Sequence, residues 1–346
     1  MSLMIQKWEE LCTENKFFGF LNIMLMGFSQ IAFHCNPVCG MILIASVAVV
    51  SPVQLLSGVW ASFVAAVFIR MLKIPPEPVR EGLYTMNPAL AGLALPLVMK
   101  IESPGLSIAA AGGAVHFSVF PAVFMLSTIG GILAVTLTAG LRKFLSRWQL
   151  PALAAPYSFT LLLMSLTVYV MRQENAGLKV SSQVLVYPEE SSLLWGFRHF
   201  IMAALNGVAQ VLWIEGVEGS VIAGLLILAG IMAASRRDAL ITVYVVCLAT
   251  GFAAILGLDR NRILLGIYGY NAILLSLALF GRDFRADRYS LLMITILSMA
   301  SVGLTAVLGR AFAVIGAPVA AFPFLILAMG AMIGKRCLGN KQRNLG

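Results

Sequence analysis

Apolar runs separated by short polar breaks follow one another along almost the whole chain. A helix needs roughly 20 apolar residues to cross the hydrocarbon core of a bilayer, so runs of about this length predict transmembrane helices. In the first half five such runs lie at 36–51, 53–71, 82–99, 118–141 and 153–171. In the second half five more lie at 215–234, 239–256, 263–280, 289–309 and 318–334. A shorter apolar helix, too short to cross, precedes each set at about 17–29 and 195–209.

This order of elements predicts an all-α polytopic membrane protein made of two repeats of five transmembrane helices each. Because each repeat has an odd number of spans, the second must enter the membrane from the opposite side, which makes the repeats inverted. The short helices are then expected to be re-entrant pore helices. The predicted segments are a cytoplasmic N-terminal segment, the first repeat, an extracytoplasmic loop, the second repeat and a basic cytoplasmic tail, at 1–16, 17–171, 172–194, 195–334 and 335–346.

Short sequence motifs recur in the same order in the two halves. GLYTMNPALAG at Gly82–Gly92 returns as GIYGYNAILLS at Gly266–Ser276, and FSQIAF at Phe28–Phe33 returns as VAQVLW at Val208–Trp213. A third block, LTA followed by two prolines, begins at Leu137 and again at Leu304, with one constant offset. Self-similarity of this kind indicates an internal structural repeat.

The composition fixes the environment of these helices. Hydrophobic residues make up 60% of the chain and charged residues 11%, with a mean hydropathy of +0.92. Soluble domains carry about 25% charged residues, so a soluble protein is excluded. The segment 1–16 is polar and amphipathic and has no apolar core or cleavage site of a secretory signal. Membrane insertion is therefore expected to depend on the transmembrane helices.

The basic residues indicate how the chain is oriented. The formal net charge is +9, and placing both termini in the cytoplasm leaves only a minority of the 24 basic residues outside. These are Lys100, Arg172, Lys179, Arg198, Arg260, Arg262 and Arg310. The bias follows the positive-inside rule and predicts a multi-pass protein of the cell inner membrane. It also explains the net charge without a nucleic-acid partner.

Metal-ligating and catalytic side chains are few. Cys35 and Cys39 lie close to His34, but no second ligand pair follows at a zinc-like spacing. We therefore expect no metal site and no cofactor. His116 and His199 fall near predicted membrane boundaries, where interfacial or packing roles are expected. No cluster of acid, base or nucleophile is visible, which argues against an enzyme.

The repeated motifs resemble those of the urea transporter family. Its pattern is a Gln with an aromatic residue three positions later, then Ser-Pro, GLYG[FY]N, and LP followed by TAPF, once per half. The matching stretches are Gln30–Phe33, Ser51–Pro52, Gly82–Gly92, Pro151–Tyr157, Gln210–Trp213, Gly266–Leu274 and Pro318–Phe324. The chain is thus identified as a divergent, bacterial-type member over about residues 17–334. The short termini also favour a bacterial protein.

The resemblance implies a fold, an assembly and an activity. Members of the family are homotrimers in which each protomer has its own pore between the two halves and conducts urea passively. Urea is flat, uncharged and rich in N–H donors, so its passage requires oxygen acceptors at the edges and apolar walls against the faces. Gln30 and Gln210, at the ends of the short helices, are expected to supply amide oxygens, because polar side chains within a membrane usually face a cavity.

The same resemblance assigns the apolar walls of the pore. Phe33 and Met86 are expected to form them in the first half, and Trp213 and Tyr270 in the second. Met86 replaces the aromatic ring of the family, and its thioether still provides a soft apolar wall. One helical turn further along, the walls are expected to continue with Leu90 and Leu274.

The third block departs from the family in both copies. Where the family carries Thr, this chain has Ala154 and Ala321, so two hydroxyls are missing from the centre of the predicted pore. A polar solute that loses a partner in an apolar site pays on the order of 1 to 3 kcal/mol. The central site is therefore expected to be weaker, wider or adapted to another small neutral amide.

Several alternatives stay open on the sequence alone. The triplet NPA at Asn87–Ala89 occurs in aquaporins, but its counterpart at 270–272 lacks the proline and the chain has too many spans. Glu215 and Glu218 lie at the edge of a predicted span, and an intramembrane carboxylate would indicate proton coupling. The predicted topology places both near the outer boundary, which favours a solvated mouth or an ion pair. A non-conducting homolog with a structural or sensory role is the remaining alternative.

Overall fold

The computed structural model describes residues 2–72, 74–99, 120–174, 196–214, 219–280, 282–285 and 287–343. Apart from an isolated bridge between Phe280 and Phe284, the secondary structure of these residues is helical. The first eight helices are α1 Ser2–Glu14, α2 Lys16–Ile31, α3 Pro37–Val50, α4 Pro52–Met71, α5 Pro76–Arg80, α6 Met86–Val98, α7 Phe120–Ser146 and α8 Ala155–Glu174. The others are α9 Phe197–Ala209, α10 Gly219–Ala234, α11 Arg236–Ile255, α12 Arg260–Leu264, α13 Tyr270–Leu279, α14 Arg288–Val314 and α15 Phe322–Arg343.

Capping side chains and prolines explain where several helices begin. The Asn36 side chain accepts hydrogen bonds from two backbone N–H groups of α3, and Pro37 occupies the first helical position. Ser51 caps α4 in the same way and is followed by Pro52, while Ser235 caps α11. Such residues satisfy the free N–H groups of a first helical turn. The repeated serine of the sequence is therefore the N-cap that starts equivalent helices.

Four of the described helices, α4, α7, α11 and α14, are long and apolar enough to cross a bilayer alone. The helices within the predicted spans 82–99 and 263–280 are shorter than expected. Helix α6 has 13 residues and α13 has 10, whereas about 20 residues span the hydrocarbon core. Gly82 and Gly266 explain the difference, because their φ values of +78° and +75° turn the chain before each helix begins.

The helix pairs of the first half recur in the second half. Helix α4 packs against α6 and α7, and α11 packs against α13 and α14. Likewise α2 packs against α3, and α9 against α10. At these last two contacts a Cβ on Gly40 would lie 2.1 Å from the Leu25 carbonyl oxygen, and one on Gly224 would lie 2.2 Å from the Leu205 carbonyl oxygen. Only glycine allows each short helix to approach its neighbour this closely.

The two halves meet along their equivalent elements. Helix α3 packs against α10, and α8 touches α15. The buried core runs through both halves, whereas large apolar side chains such as Leu56, Met125, Leu240 and Ile296 point outward on the long helices. A soluble protein rarely exposes so much apolar surface. The all-helical membrane fold predicted from the sequence is confirmed.

Candidate functional site

Two aromatic residues adopt the left-handed backbone conformation where the short helices end. Phe33 has φ = 58° after α2, and Trp213 has φ = 59° after a short 3₁₀ turn that follows α9. Each backbone N–H donates to the carbonyl of the glutamine three residues earlier, Gln30 at 2.9 Å and Gln210 at 3.0 Å. This conformation costs a residue with a side chain about 1–2 kcal/mol. Backbone strain of this kind persists where the surrounding structure holds the residue in place, and it is concentrated at functional sites.

Each of these rings packs edge-on against a residue of the other half. The ring centroids of Phe33 and Phe324 lie 5.9 Å apart at an interplanar angle of 62°. Those of Trp213 and Tyr157 lie 6.4 Å apart at 70°. Edge-to-face arrangement is favourable for aromatic pairs at these distances. The two pairs therefore join the halves through equivalent contacts.

Asparagines of the repeated GLYTMN and GIYGYN motifs hold those partner residues in place. The Asn87 Oδ1 atom accepts from the Tyr157 backbone N–H at 3.2 Å, and Nδ2 donates to the Thr138 hydroxyl at 3.4 Å. In the second half Asn271 Oδ1 accepts from the Phe324 N–H at 3.3 Å, and Nδ2 donates to the Thr305 hydroxyl at 3.2 Å. The repeated LTA threonines thus support the asparagines, and the NPA triplet has a structural role here.

The two predicted alanine positions follow a chain reversal. Leu153 and Ala320 both have φ = 48°, and Ala154 and Ala321 come next, just before α8 and α15 begin. The Tyr270 hydroxyl donates a hydrogen bond to the Ala320 carbonyl. Because this carbonyl lies outside the helices, the tyrosine supplies the partner that a buried backbone oxygen requires.

Nine of the ten predicted site residues line one cavity. They are Phe33, Met86, Leu90, Ala154, Gln210, Trp213, Tyr270, Leu274 and Ala321. The cavity is small, with a volume of about 20 Å³. For comparison, a cavity needs about 10–15 Å³ to hold one water molecule. Its walls are mostly apolar, and residues of both halves form them. The predicted site residues lie together here, although the first and last of them are about 290 positions apart in the sequence.

Tyr157 also lines this cavity and was missed by the sequence reasoning. Its side chain is 2% exposed, and its hydroxyl lies within reach of the Trp213 side chain, against which its ring packs. The sequence contained a clue, because AAPY places a tyrosine where the TAPF pattern has phenylalanine. The second copy keeps Phe324 at the equivalent position.

The two glutamines have different surroundings. Gln30 does not line the cavity, and its Nε2 donates to the Cys35 sulfur at 2.8 Å. Gln210 lines the cavity, is 5% exposed, and its Nε2 is buried without a hydrogen-bond partner among the described residues. The duplicated sequence therefore places one amide in the cavity and turns the other toward a thiol.

Comparison with known proteins identifies the family. The family model described as "Urea transporter" matches residues 21–336. The chain belongs to the urea transporter family. Urea transporter 1 of Ovis aries is 22% identical over 324 residues, which cover 90% of this chain and 76% of that protein. Urea transporter 1 of Capra hircus matches to the same extent. The resemblance seen in the motifs is confirmed, and the family consists of transporters rather than enzymes.

In this urea transporter family member, a glutamine and a charged cluster support the two aromatic reversals. Gln54 Nε2 donates to the Trp213 carbonyl at 2.8 Å and to the Leu93 carbonyl at 3.1 Å. Asp238 occupies the equivalent position three residues after its serine cap, and its Oδ2 lies 3.6 Å from His34 Nε2, next to Phe33. Since the guanidinium of Arg282 can only donate and lies 3.3 Å from His34 Nδ1, Nδ1 accepts and the proton lies on Nε2.

The acidic, histidine and cysteine residues named in the sequence do not line this cavity among the described residues. Glu215, Glu218 and His116 lie outside the described residues. Cys39 is buried in α3, and Cys35 is exposed beside Gln30. Over the described ranges, no three His, Cys, Asp or Glu side chains form a cluster suited to a metal ion.

Proposed function

We propose that this chain is a passive, channel-like transporter that moves urea or a closely related small neutral amide across the inner membrane. The observation that supports this most is the narrow cavity lined by Phe33 and Met86 from one half and Trp213 and Tyr270 from the other. The solute passes between the two halves. Family membership supports urea as the transported compound.

The lining of the cavity fits a flat, uncharged solute. Apolar side chains such as Leu90 and Leu274 form most of the wall, while Gln210, Tyr157 and Tyr270 carry the polar groups. Specific sites for small molecules combine apolar walls with a few placed polar groups in this way. An ion that entered a cavity with such apolar walls would lose its hydration shell, at a high cost in free energy. A neutral amide requires only a few hydrogen bonds.

The proposed topology follows the segments predicted from the sequence. The repeats are 17–171 and 195–334 in inverted orientation, with the segment 1–16 and the tail 335–346 in the cytoplasm and the loop 172–194 outside. The recurrence of the same helix pairs in both halves supports the repeat. We propose a homotrimer with one pore in each protomer, which light scattering of the purified protein tests directly.

Flux measurements on sealed vesicles test this function. Purified protein is reconstituted into proteoliposomes, and the shrinkage and re-swelling of the vesicles is followed by stopped-flow light scattering with urea, formamide, acetamide and thiourea. We expect at least one of the four solutes to equilibrate several-fold faster than in protein-free vesicles. Rates equal to those of empty vesicles for all four solutes would leave a structural or sensory role as the better interpretation.

A proton-coupled transporter is the second candidate. The buried carboxylate of Asp238, 3% exposed and next to His34 beside Phe33, is the observation that favours it. Intramembrane carboxylates are common in proton relays. An imposed pH gradient distinguishes the two functions, because it drives uphill accumulation of labelled solute in a coupled transporter but not in a channel. We expect the labelled solute to reach equal internal and external concentrations, whichever side of the membrane is made acidic.

A further inference from the structure

We propose that the Tyr157 hydroxyl and the Gln210 amide form a pair of hydrogen-bond donors that recognises the carbonyl oxygen of the solute. Tyr157 is then a residue that determines specificity in this pore. This inference rests on the proposed function of the cavity and names the part of the solute that the cavity binds.

Tyr157 has a hydroxyl proton that is available to a solute. The Tyr157 ring packs edge-on against Trp213, with the ring centroids 6.4 Å apart, and its hydroxyl lies within reach of the Trp213 side chain. An indole N–H can only donate, so the hydroxyl can only accept from it, and its own O–H proton is left for another acceptor. In the described part of the chain, the structure provides no such acceptor. The Tyr157 backbone N–H donates to the Asn87 Oδ1 atom at 3.2 Å, and this bond helps to hold the ring in the cavity wall.

The second half of the protein offers no free hydroxyl at the equivalent positions of the cavity. The Tyr270 hydroxyl already donates to the Ala320 carbonyl. Phe324, the counterpart of Tyr157 in the second half, has no hydroxyl and packs against the Phe33 ring. A hydroxyl that is free to donate to a solute therefore comes from the first half alone, although the walls of the site are otherwise duplicated.

The Gln210 side chain supplies the second donor. Gln210 lines the same cavity, and its Nε2 is buried without a hydrogen-bond partner among the described residues. A buried donor without a partner is unfavourable, so a solute that brings an acceptor is bound preferentially. Two donors in one small cavity fit the two lone pairs of a carbonyl oxygen. Sulfur is a weaker acceptor, so the site should favour urea over thiourea.

The sequence around Tyr157 explains why the hydroxyl lies here. The pattern TAPF carries its hydroxyl on the first residue, whereas AAPY has Ala154 first and Tyr157 fourth. Both residues line the cavity. We infer that the Tyr157 hydroxyl, about one helical turn further along, takes the place of the hydroxyl that alanine cannot supply at position 154. The predicted weakening of the central site is thereby offset on this side of the pore.

Urea and thiourea flux in proteoliposomes tests the proposal with three variants. Tyr157→Phe should lower urea flux about three- to tenfold, the effect of one neutral hydrogen bond, and should change thiourea flux less than twofold. Adding Ala154→Thr to Tyr157→Phe should restore most of the urea-to-thiourea ratio. Tyr84→Phe is the matched control, because Tyr84 is a buried tyrosine of the same half that does not line the cavity. Its ratio should equal that of the wild type.

The outcomes separate this inference from the proposed function. If the wild type conducts no urea, the channel itself is wrong. If the wild type conducts urea and Tyr157→Phe keeps the same urea-to-thiourea ratio, the channel stands and the donor pair is refuted. Should Tyr157→Phe fail to give folded protein, wild-type flux of acetamide and thioacetamide decides, since the two differ in the acceptor atom. A clear preference for acetamide supports the donor pair, and equal rates overturn it.

Discussion

At the scale of single residues, the two halves of this protein are alike in backbone and different in chemistry. Phe33 and Trp213 share a left-handed backbone conformation, and both rings pack across to the opposite half. Gln30 and Gln210 share a position in the motif, but only Gln210 lines the cavity. A pore built from duplicated elements can therefore bind a solute asymmetrically, because substitutions in one copy leave the shared backbone unchanged.

Replacing each glutamine by leucine should reveal this asymmetry. Gln210→Leu removes a buried amide from the cavity and should lower urea flux about tenfold, which corresponds to about 1.4 kcal/mol. Within the described part of the chain, Gln30→Leu removes only the side-chain bond to the Cys35 sulfur, so we expect less than a twofold change. Stopped-flow flux at equal protein density measures both. A similar loss in the two variants would mean that both amides contact the solute during passage.

At the scale of elements, glycines decide where the pore-lining helices begin. Gly82 and Gly266 both have positive φ and both precede a helix that carries cavity residues. A Cβ on Gly266 would lie 2.1 Å from the backbone nitrogen of Gly207 in the preceding short helix. The turn therefore requires glycine for its backbone conformation and for its closeness to α9. Tyr270 and Leu274 lie in the helix that follows this turn, and both line the cavity together with Trp213.

Two alanine substitutions separate these two requirements. Gly257 has φ = +62° and nothing within 4 Å of an added Cβ, so Gly257→Ala should cost only the left-handed strain, about 1–2 kcal/mol. Gly266→Ala meets the same strain and also collides with backbone, so its thermal midpoint in detergent should fall well below that of Gly257→Ala, or the protein should not fold. Equal midpoints for the two variants would contradict the close approach of α9.

At the scale of the whole molecule, contacts between the halves complete the site. Helix α3 packs against α10, and a side chain of the opposite half lies at or next to each aromatic reversal. Gln54 of α4 donates to the Trp213 carbonyl, and Asp238 of α11 lies beside His34. The cavity therefore exists only when both halves are folded and docked.

Removal of the Gln54 amide should weaken this docking. Gln54→Met keeps the shape of the side chain but leaves two buried carbonyls without their donor, which should cost about 1–3 kcal/mol in the free energy of unfolding. Urea flux should fall as well, because Trp213 loses its support. Ser46→Ala is the control, since among the described residues that hydroxyl bonds only to the Leu43 carbonyl of its own helix, at 2.7 Å. If the two variants had the same thermal midpoint and flux, Gln54 would have no special role between the halves.

Much of this protein could be predicted from its sequence. Long apolar runs reveal membrane helices because a bilayer admits only backbone that bonds within its own segment. Caps such as Ser51 and Ser235 mark helix starts because they act on the next few residues. The repeated motifs indicated Phe33, Trp213 and seven further cavity residues, since equivalent copies occupy equivalent places. These features are local or duplicated, and the sequence carries them directly.

The tertiary structure alone decided what depends on distant residues. The predicted span at 82–99 is a turn and a short helix, because Gly82 must fit against α2. Gln30 bonds to Cys35 instead of facing the cavity, and Tyr157 reaches the cavity wall opposite Trp213. No local pattern encodes such choices, because each is made by a contact between side chains that only the docking of the two halves brings together.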